Sequence, residues 1–137
     1  MKEVTVRGEK GGYAQHATAR GHEVVGDETK DDGGADRGMT PTELLLASLG
    51  SCKTITVRMY AAKKGWPLED VVVHLSHDKE EAAKEDGTKE VVHRIRASVR
   101  LEGALDADQR ARLLDISTRC PIHRMLQGKI EIESRLA

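Results

Sequence analysis

Apolar and polar residues alternate near the start of the chain, where Glu3-Val4-Thr5-Val6-Arg7 sets its valines on one face. Gly11-Gly12 interrupts the run, Tyr13 to Ala19 carries it on with Ala and Thr, and His22-Glu23-Val24-Val25 follows Gly21. Short runs punctuated by glycine predict a meander of about three antiparallel strands. Residues 27 to 39 are rich in Asp and Gly and predict an exposed loop.

The pattern changes at Thr40-Pro41-Thr42-Glu43. Thr40 as N-cap, Pro41 at the first helical position and Glu43 completing a capping box open a helix. The block Leu44-Leu45-Leu46-Ala47 follows, and the helix runs to Lys64 before Gly65-Trp66-Pro67 stops it. At full length it spans about 36 Å. Its first half is apolar on nearly every side, which predicts burial all round and a second copy of the chain to supply the cover. Beyond it, Glu69 to His77 predicts a strand, Lys79 to Thr88 a solvated turn or loop, and Val91 to Leu101 a long alternating strand with Arg94, Arg96 and Arg100 outward. Asp106-Ala107-Asp108-Gln109 opens a helix to about Ser117, and Pro121 opens a short one closed by Gly128. Lys129 to Arg135 alternates as a final strand. Strands, long helix, strands, helices and strand in that order predict an α+β fold in a single domain over residues 1–137.

Composition narrows the function classes. Lys and Arg total 22 against 23 Asp and Glu, so no basic excess exists to attract nucleic acid. No apolar run approaches the roughly 20 residues of a membrane span, and the N-terminus has no signal-peptide pattern, so a cytoplasmic location is expected. In that compartment the two cysteines, Cys52 and Cys120, are expected as free thiols. The chain has no Phe and one Trp, leaving a core of Val, Leu, Ile, Ala and Met.

The thiols are the candidate chemistry. Cys52 lies about three turns into the central helix, beside Gly50 and Ser51, whose small size leaves room for another chain or a substrate. Its alternative is a buried structural cysteine. Cys120 precedes Pro121 at the start of the short helix, where free amides stabilise a thiolate, with Arg119 and Arg124 adjacent and His123 placed to accept a proton. Local physics therefore ranks Cys120 as the readier thiolate. Cys120, His123 and Cys52 lack paired metal-ligand spacing, and Gly33-Gly34 lacks the dinucleotide-loop spacing, so no metal or cofactor is expected.

The segment Thr40-Pro41-Thr42-Glu43-Leu44-Leu45-Leu46-Ala47-Ser48-Leu49-Gly50-Ser51-Cys52 resembles the OsmC/Ohr family, the osmotically inducible and organic-hydroperoxide-resistance proteins. So do Arg58-Met59-Tyr60-Ala61-Ala62-Lys63-Lys64-Gly65-Trp66-Pro67-Leu68 and Arg119-Cys120-Pro121-Ile122-His123-Arg124. The resemblance covers essentially the whole chain and is closest to the general OsmC-like branch. It implies an intertwined α+β homodimer with paired central helices and a site at each subunit interface. It also implies a cysteine peroxidase for organic hydroperoxides. Cys52 then attacks the peroxide and becomes a sulfenic acid, Cys120 condenses with it to a disulfide, and an external dithiol reductant resets the pair.

Two positions depart from the peroxidase branch. Its catalytic Glu follows the helix-opening proline directly, where this chain has Thr42; Glu43 is next. Its catalytic Arg lies on the N-terminal hairpin near Gly12-Tyr13, where no Arg stands; Arg7, Arg20 and Arg37 are the substitutes. Two further functions fit the same residues: a non-catalytic dimer holding a small apolar ligand between its central helices, and a redox sensor that forms the Cys52–Cys120 disulfide without turnover.

Overall fold

Glycine turns the N-terminal alternation back on itself. The computed structural model describes all residues, Met1–Ala137. Strands β1 (Thr5–Gly8), β2 (Gln15–Ala19) and β3 (His22–Gly26) form an antiparallel sheet in that order. Between β2 and β3 the turn is only Arg20-Gly21, both with positive φ (52° and 83°), because Ala19 pairs with His22. Such a two-residue turn matches the twist of its strands, and glycine meets its φ requirement without strain.

The loop after β3 is more ordered than its composition predicts. Asp27 is wholly buried, and its carboxylate accepts the amides of Glu28 at 2.7 Å, Ala35 at 3.3 Å and Arg37 at 3.1 Å. These bonds close the loop around the short 3-10 turn Lys30–Asp32. They also hold the Asp27 carboxyl below its usual range, the Glu28 amide most of all. This segment and the sheet belong to one compact unit, Met1–Ala47; Ser48–Ala137 is a second.

Helix α1 (Pro41–Lys64) starts as its sequence dictates. The Thr40 amide donates to Glu43 at 2.8 Å, and the Glu43 amide donates to Thr40 Oγ1 at 3.3 Å. In the second unit the helix buries one stripe, Leu49, Gly50, Lys53, Val57 and Ala61, at the spacing of a single face. A single chain does not cover the helix all round: Leu45 in its first half, and Ile55 and Met59 further on, are exposed. The room beside Cys52 at Gly50 is also taken, because a Cβ there would stand 2.8 Å from Leu75 Cδ1.

Strand β4 runs Leu68–Ala83 and pairs antiparallel with β5 (Lys89–Gly103) through Ala83↔Lys89. The charged stretch predicted as loop from Lys79 is therefore strand up to Ala83. Its acids face arginines across the ladder, Glu80 with Arg94 at 3.0 Å and Asp78 with Arg96 at 3.1 Å. Opposite charges on an exposed strand face support pairing that hydropathy alone misses. Helices α2 (Ala107–Ser117) and α3 (Pro121–Gln127) follow, α2 with the expected Asp106–Gln109 capping box. The core of the unit is Val57, Ala61, Val71 and Leu113, with Tyr60, Trp66, Leu68, Val99 and Leu101 packed against it. The final strand over 129–135 does not form. Nothing in the chain pairs with it, and Ile132 and Leu136 are exposed. No helix is long and apolar enough to cross a membrane.

Candidate functional site

Two consecutive amides of α3 organise both thiols. Pro121 fixes the backbone at the first helical position, so the next amides emerge without intrahelical acceptors. The Ile122 amide donates to Cys52 Sγ at 3.5 Å, and the His123 amide donates to Cys120 Sγ at 3.4 Å. Cys120 is thereby the N-cap of α3, as its place before Pro121 predicts. Both thiols are free, Cys52 half-buried and Cys120 fully buried, and each accepts an amide from the start of α3.

Burial works against the activation of Cys120 that its helix-start position suggests. Desolvation pushes the Cys120 thiol up, outweighing the His123 amide that favours its anion, with Cys52 adding to the rise. The flanking arginines do not reverse this. Arg119 pairs with Asp115 at 2.7 Å, and exposed Arg124 bonds Cys120 only through its backbone amide, at 3.1 Å to the carbonyl. His123 Nδ1 meets Lys53 Nζ at 2.9 Å.

Lys53 is the buried cation beside the thiols' helices that the sequence pattern leaves unremarked. Only 3% exposed, it also donates to the Ser117 carbonyl at 2.9 Å. Lysine is almost never buried without a charged partner, yet both hydrogen-bond partners here are uncharged. Burial lowers its pKa, opposed by the fields of Cys120 and Cys52. His123 is lowered too, by burial and then by the Lys53 charge. The signal was available: Leu49, Lys53, Val57 and Ala61 share the four-residue spacing of a buried face, with one cation among apolar residues. Lys53 and His123 line a cavity of about 420 Å³ whose apolar wall includes Leu49, Ile95, Val99 and Leu114. Neither sulfur lines that cavity.

The other candidates belong to the N-terminal unit, where Arg37 and Glu43 have their own partners. Arg37 pairs with Glu9 at 2.7 Å. Glu9 also meets His16 Nε2 at 2.6 Å, while His16 Nδ1 meets Glu23 at 2.9 Å. Arg37 and then His16 hold the Glu9 carboxyl down to about 2. Arg7 is exposed on β1 opposite His16, Arg20 forms the β2–β3 turn, and Glu43 is committed to the cap of α1. Within this chain no group of three or more His, Cys, Asp or Glu is arranged to hold a metal ion.

Comparison with known proteins follows this geometry. A family model described as OsmC-like protein matches residues 33–135. No curated protein matches the chain. Among solved structures, an OsmC-like protein from Mycoplasma pneumoniae superposes with a TM-score of 0.75 at 19% identity, covering 93% of this chain and 88% of that one. An organic hydroperoxide resistance protein OsmC from Legionella pneumophila, also called a predicted redox protein, gives 0.66 at 19% identity over 93% and 90%. The organic hydroperoxide resistance protein OhrB of Bacillus subtilis gives 0.61 at 18% over 93% and 91%.

Proposed function

As a chain that belongs to the OsmC family, we propose that this protein is a thiol-dependent peroxidase that reduces organic hydroperoxides. The observation that carries the reading is the pair of adjacent amides, Ile122 and His123, each donating to one sulfur. Cys52, half-buried and open to a small molecule, is the attacking thiol. Its thiolate takes the distal peroxide oxygen, the O–O bond breaks, and the alkoxide leaves as alcohol after protonation. Cys120, wholly buried, is suited to resolve the sulfenic acid and ill-suited to meet a peroxide first. Disulfide formation releases water, and an external dithiol returns both thiols by exchange. The solved relatives named for hydroperoxide resistance support the same reading.

The working unit of this reading is a cytoplasmic homodimer. Exposed Leu45, Ile55 and Met59 on α1, with Ile130 and Ile132 beyond α3, give a second copy apolar surface to cover. The test is steady-state reduction of an alkyl hydroperoxide with a dithiol reductant. Turnover that requires Cys52 is expected, and equal rates for wild type and Cys52→Ser refute the reading.

One observation favours a second reading, a non-catalytic dimer that binds a small apolar ligand. The cavity beside Lys53 is largely apolar and is not lined by either sulfur. Native mass spectrometry of protein purified from its host separates the two: a stoichiometric bound ligand together with unreactive thiols favours the binder.

A further inference from the structure

The cavity beside Lys53 is lined by basic and apolar side chains, and no Asp or Glu is among them. Two of its basic residues are matched elsewhere: Arg94 pairs with Glu80 at 3.0 Å, and His93 Nδ1 meets His77 Nε2 at 2.9 Å. Lys53 is not matched. It is only 3% exposed, and its two hydrogen bonds go to the Ser117 carbonyl and to His123 Nδ1, both uncharged. Buried charges are paired almost without exception. We propose that the missing partner is a ligand: the carboxylate of a short aliphatic acid, its head on Lys53 and its tail along Leu49, Ile95, Val99 and Leu114. The inference rests on the ligand-binding reading of this cavity and names the head group that reading leaves open. It asks nothing of the thiols, since neither sulfur lines the cavity.

Hydrogen-bond capacity leaves room for the head group. An ammonium has three N–H bonds, and Ser117 and His123 take two of them, each at 2.9 Å. The third is left for an anion. Because His123 Nδ1 accepts from the ammonium, the ring proton stands on Nε2, a second N–H on a residue of the same wall. A carboxylate has two oxygens with which to accept from both. Ser117 and His123, which hold Nζ, themselves line the cavity, so the charged end of Lys53 stands at the wall and not its stem alone.

The rest of the wall selects the tail. A volume of about 420 Å³ suits a small molecule. Each methylene that leaves water for apolar side chains tightens binding by about fourfold. An alcohol of the same length buries the same tail but leaves the ammonium without its anion. A hydrogen bond to a charged group separates the two heads by about 10–100-fold. An alkylammonium brings like charge to a wall that has no acid to receive it.

Calorimetric titration of the full-length protein with hexanoate, heptanoate, octanoate, 1-octanol and octylammonium tests the proposal. The expected result is one saturable site per chain, with carboxylates tightening about fourfold per methylene. 1-Octanol binds about 10–100-fold more weakly than octanoate, and octylammonium does not bind. In Lys53→Met the order inverts, and 1-octanol binds at least as tightly as octanoate. If Lys53→Met does not fold, Leu114→Trp at an exposed position of the wall replaces it, and octanoate binding is lost as the indole fills the place of the tail. Octanoate binding unchanged in either folded variant overturns the proposal. Equal affinity of the wild type for octanoate and 1-octanol overturns the carboxylate assignment and leaves a ligand cavity standing. No binding by any of the five, the result expected where a second copy of the chain fills the space, overturns it as well. Native mass spectrometry of protein from its host then decides the broader ligand-binding reading, and the peroxidase reading is untouched.

Discussion

The Ile122 amide donates to the sulfur of Cys52 at 3.5 Å across 70 positions of sequence. The bond ties α1 to α3 and aims a fixed dipole at the thiol proposed to react first. A hydrogen bond to a charged acceptor contributes about 1.5–3 kcal/mol, so its loss is measurable. Ile122→Pro deletes this N–H in a first helical turn, where proline is tolerated, while restricting the backbone of Pro121 before it. Alkylation of Cys52 by iodoacetamide at fixed pH is expected to slow by about tenfold or more. An unchanged rate shows that the amide does not govern this thiolate.

The two thiols are expected to fail differently. Cys52→Ser abolishes peroxide consumption. In the absence of reductant, Cys120→Ser takes up one oxygen per chain and holds it as sulfenic acid, because no resolving thiol condenses with it. Intact-mass spectrometry after one equivalent of hydroperoxide distinguishes a 16-dalton gain from the loss of two hydrogens (roughly these values for one oxygen or one disulfide). Identical products from wild type and Cys120→Ser exclude Cys120 as the resolving residue.

Leu113 is 0% exposed at the centre of the core, between Val57, Ala61 and Val71. Leu113→Ala is expected to destabilise the protein by about 2–5 kcal/mol through lost burial and the cavity left behind. Urea denaturation measures this as a fall in midpoint at constant slope.

The Glu9–His16–Glu23–Arg37 cluster gives the N-terminal sheet a pH window. Glu23 and then Glu9 raise the His16 pKa above 6.5, so its contribution is complete below that value and fades as pH rises through the folded pKa. Glu9 is depressed from 4.5 to about 2, so its contribution is present above 4.5 and is lost as pH falls toward 2. The cluster is therefore strongest from about pH 4.5 to 6.5. Thermal midpoints across pH should decline on the alkaline side in wild type and flatten there in His16→Gln. Parallel curves for the two proteins refute the linkage.

Asp27 makes a separate prediction, because both the Ala35 and Arg37 amides bond its Oδ2. Asp27→Asn keeps the size but supplies only one acceptor oxygen, so at least one buried amide loses its partner. Amide hydrogen exchange at Ala35, Arg37 or Glu28 is expected to quicken in the variant. Unaltered exchange at all three contradicts the anchoring role.

Helix boundaries were legible because capping is local chemistry: Thr40 with Glu43, Asp106 with Gln109, and Cys120 before Pro121 each mark an end that the structure contains. The extension of β4 through Lys79–Ala83 was hidden because its stabilising charges lie on another strand, at Arg94 and Arg96. The final strand was overread, since alternation at Ile130 and Ile132 describes a surface and not a pairing partner. At the site, sequence located both sulfurs but not their environment. Arg119 and Arg124 looked like activators of Cys120 until Asp115 and burial were counted, and Lys53 looked like one more charged residue on a long helix. Its depth comes from Ser117 and His123, which lie 64 and 70 positions away.

Cys120 is both the cap of α3 and one of the paired thiols, since its sulfur accepts the His123 amide that begins the helix. A sulfur engaged in a disulfide is uncharged and constrained in direction, and it receives that amide less well than a thiolate does. In the proposed peroxidase, closing the Cys52–Cys120 bond changes the cap of α3 in the same event that makes the covalent bond.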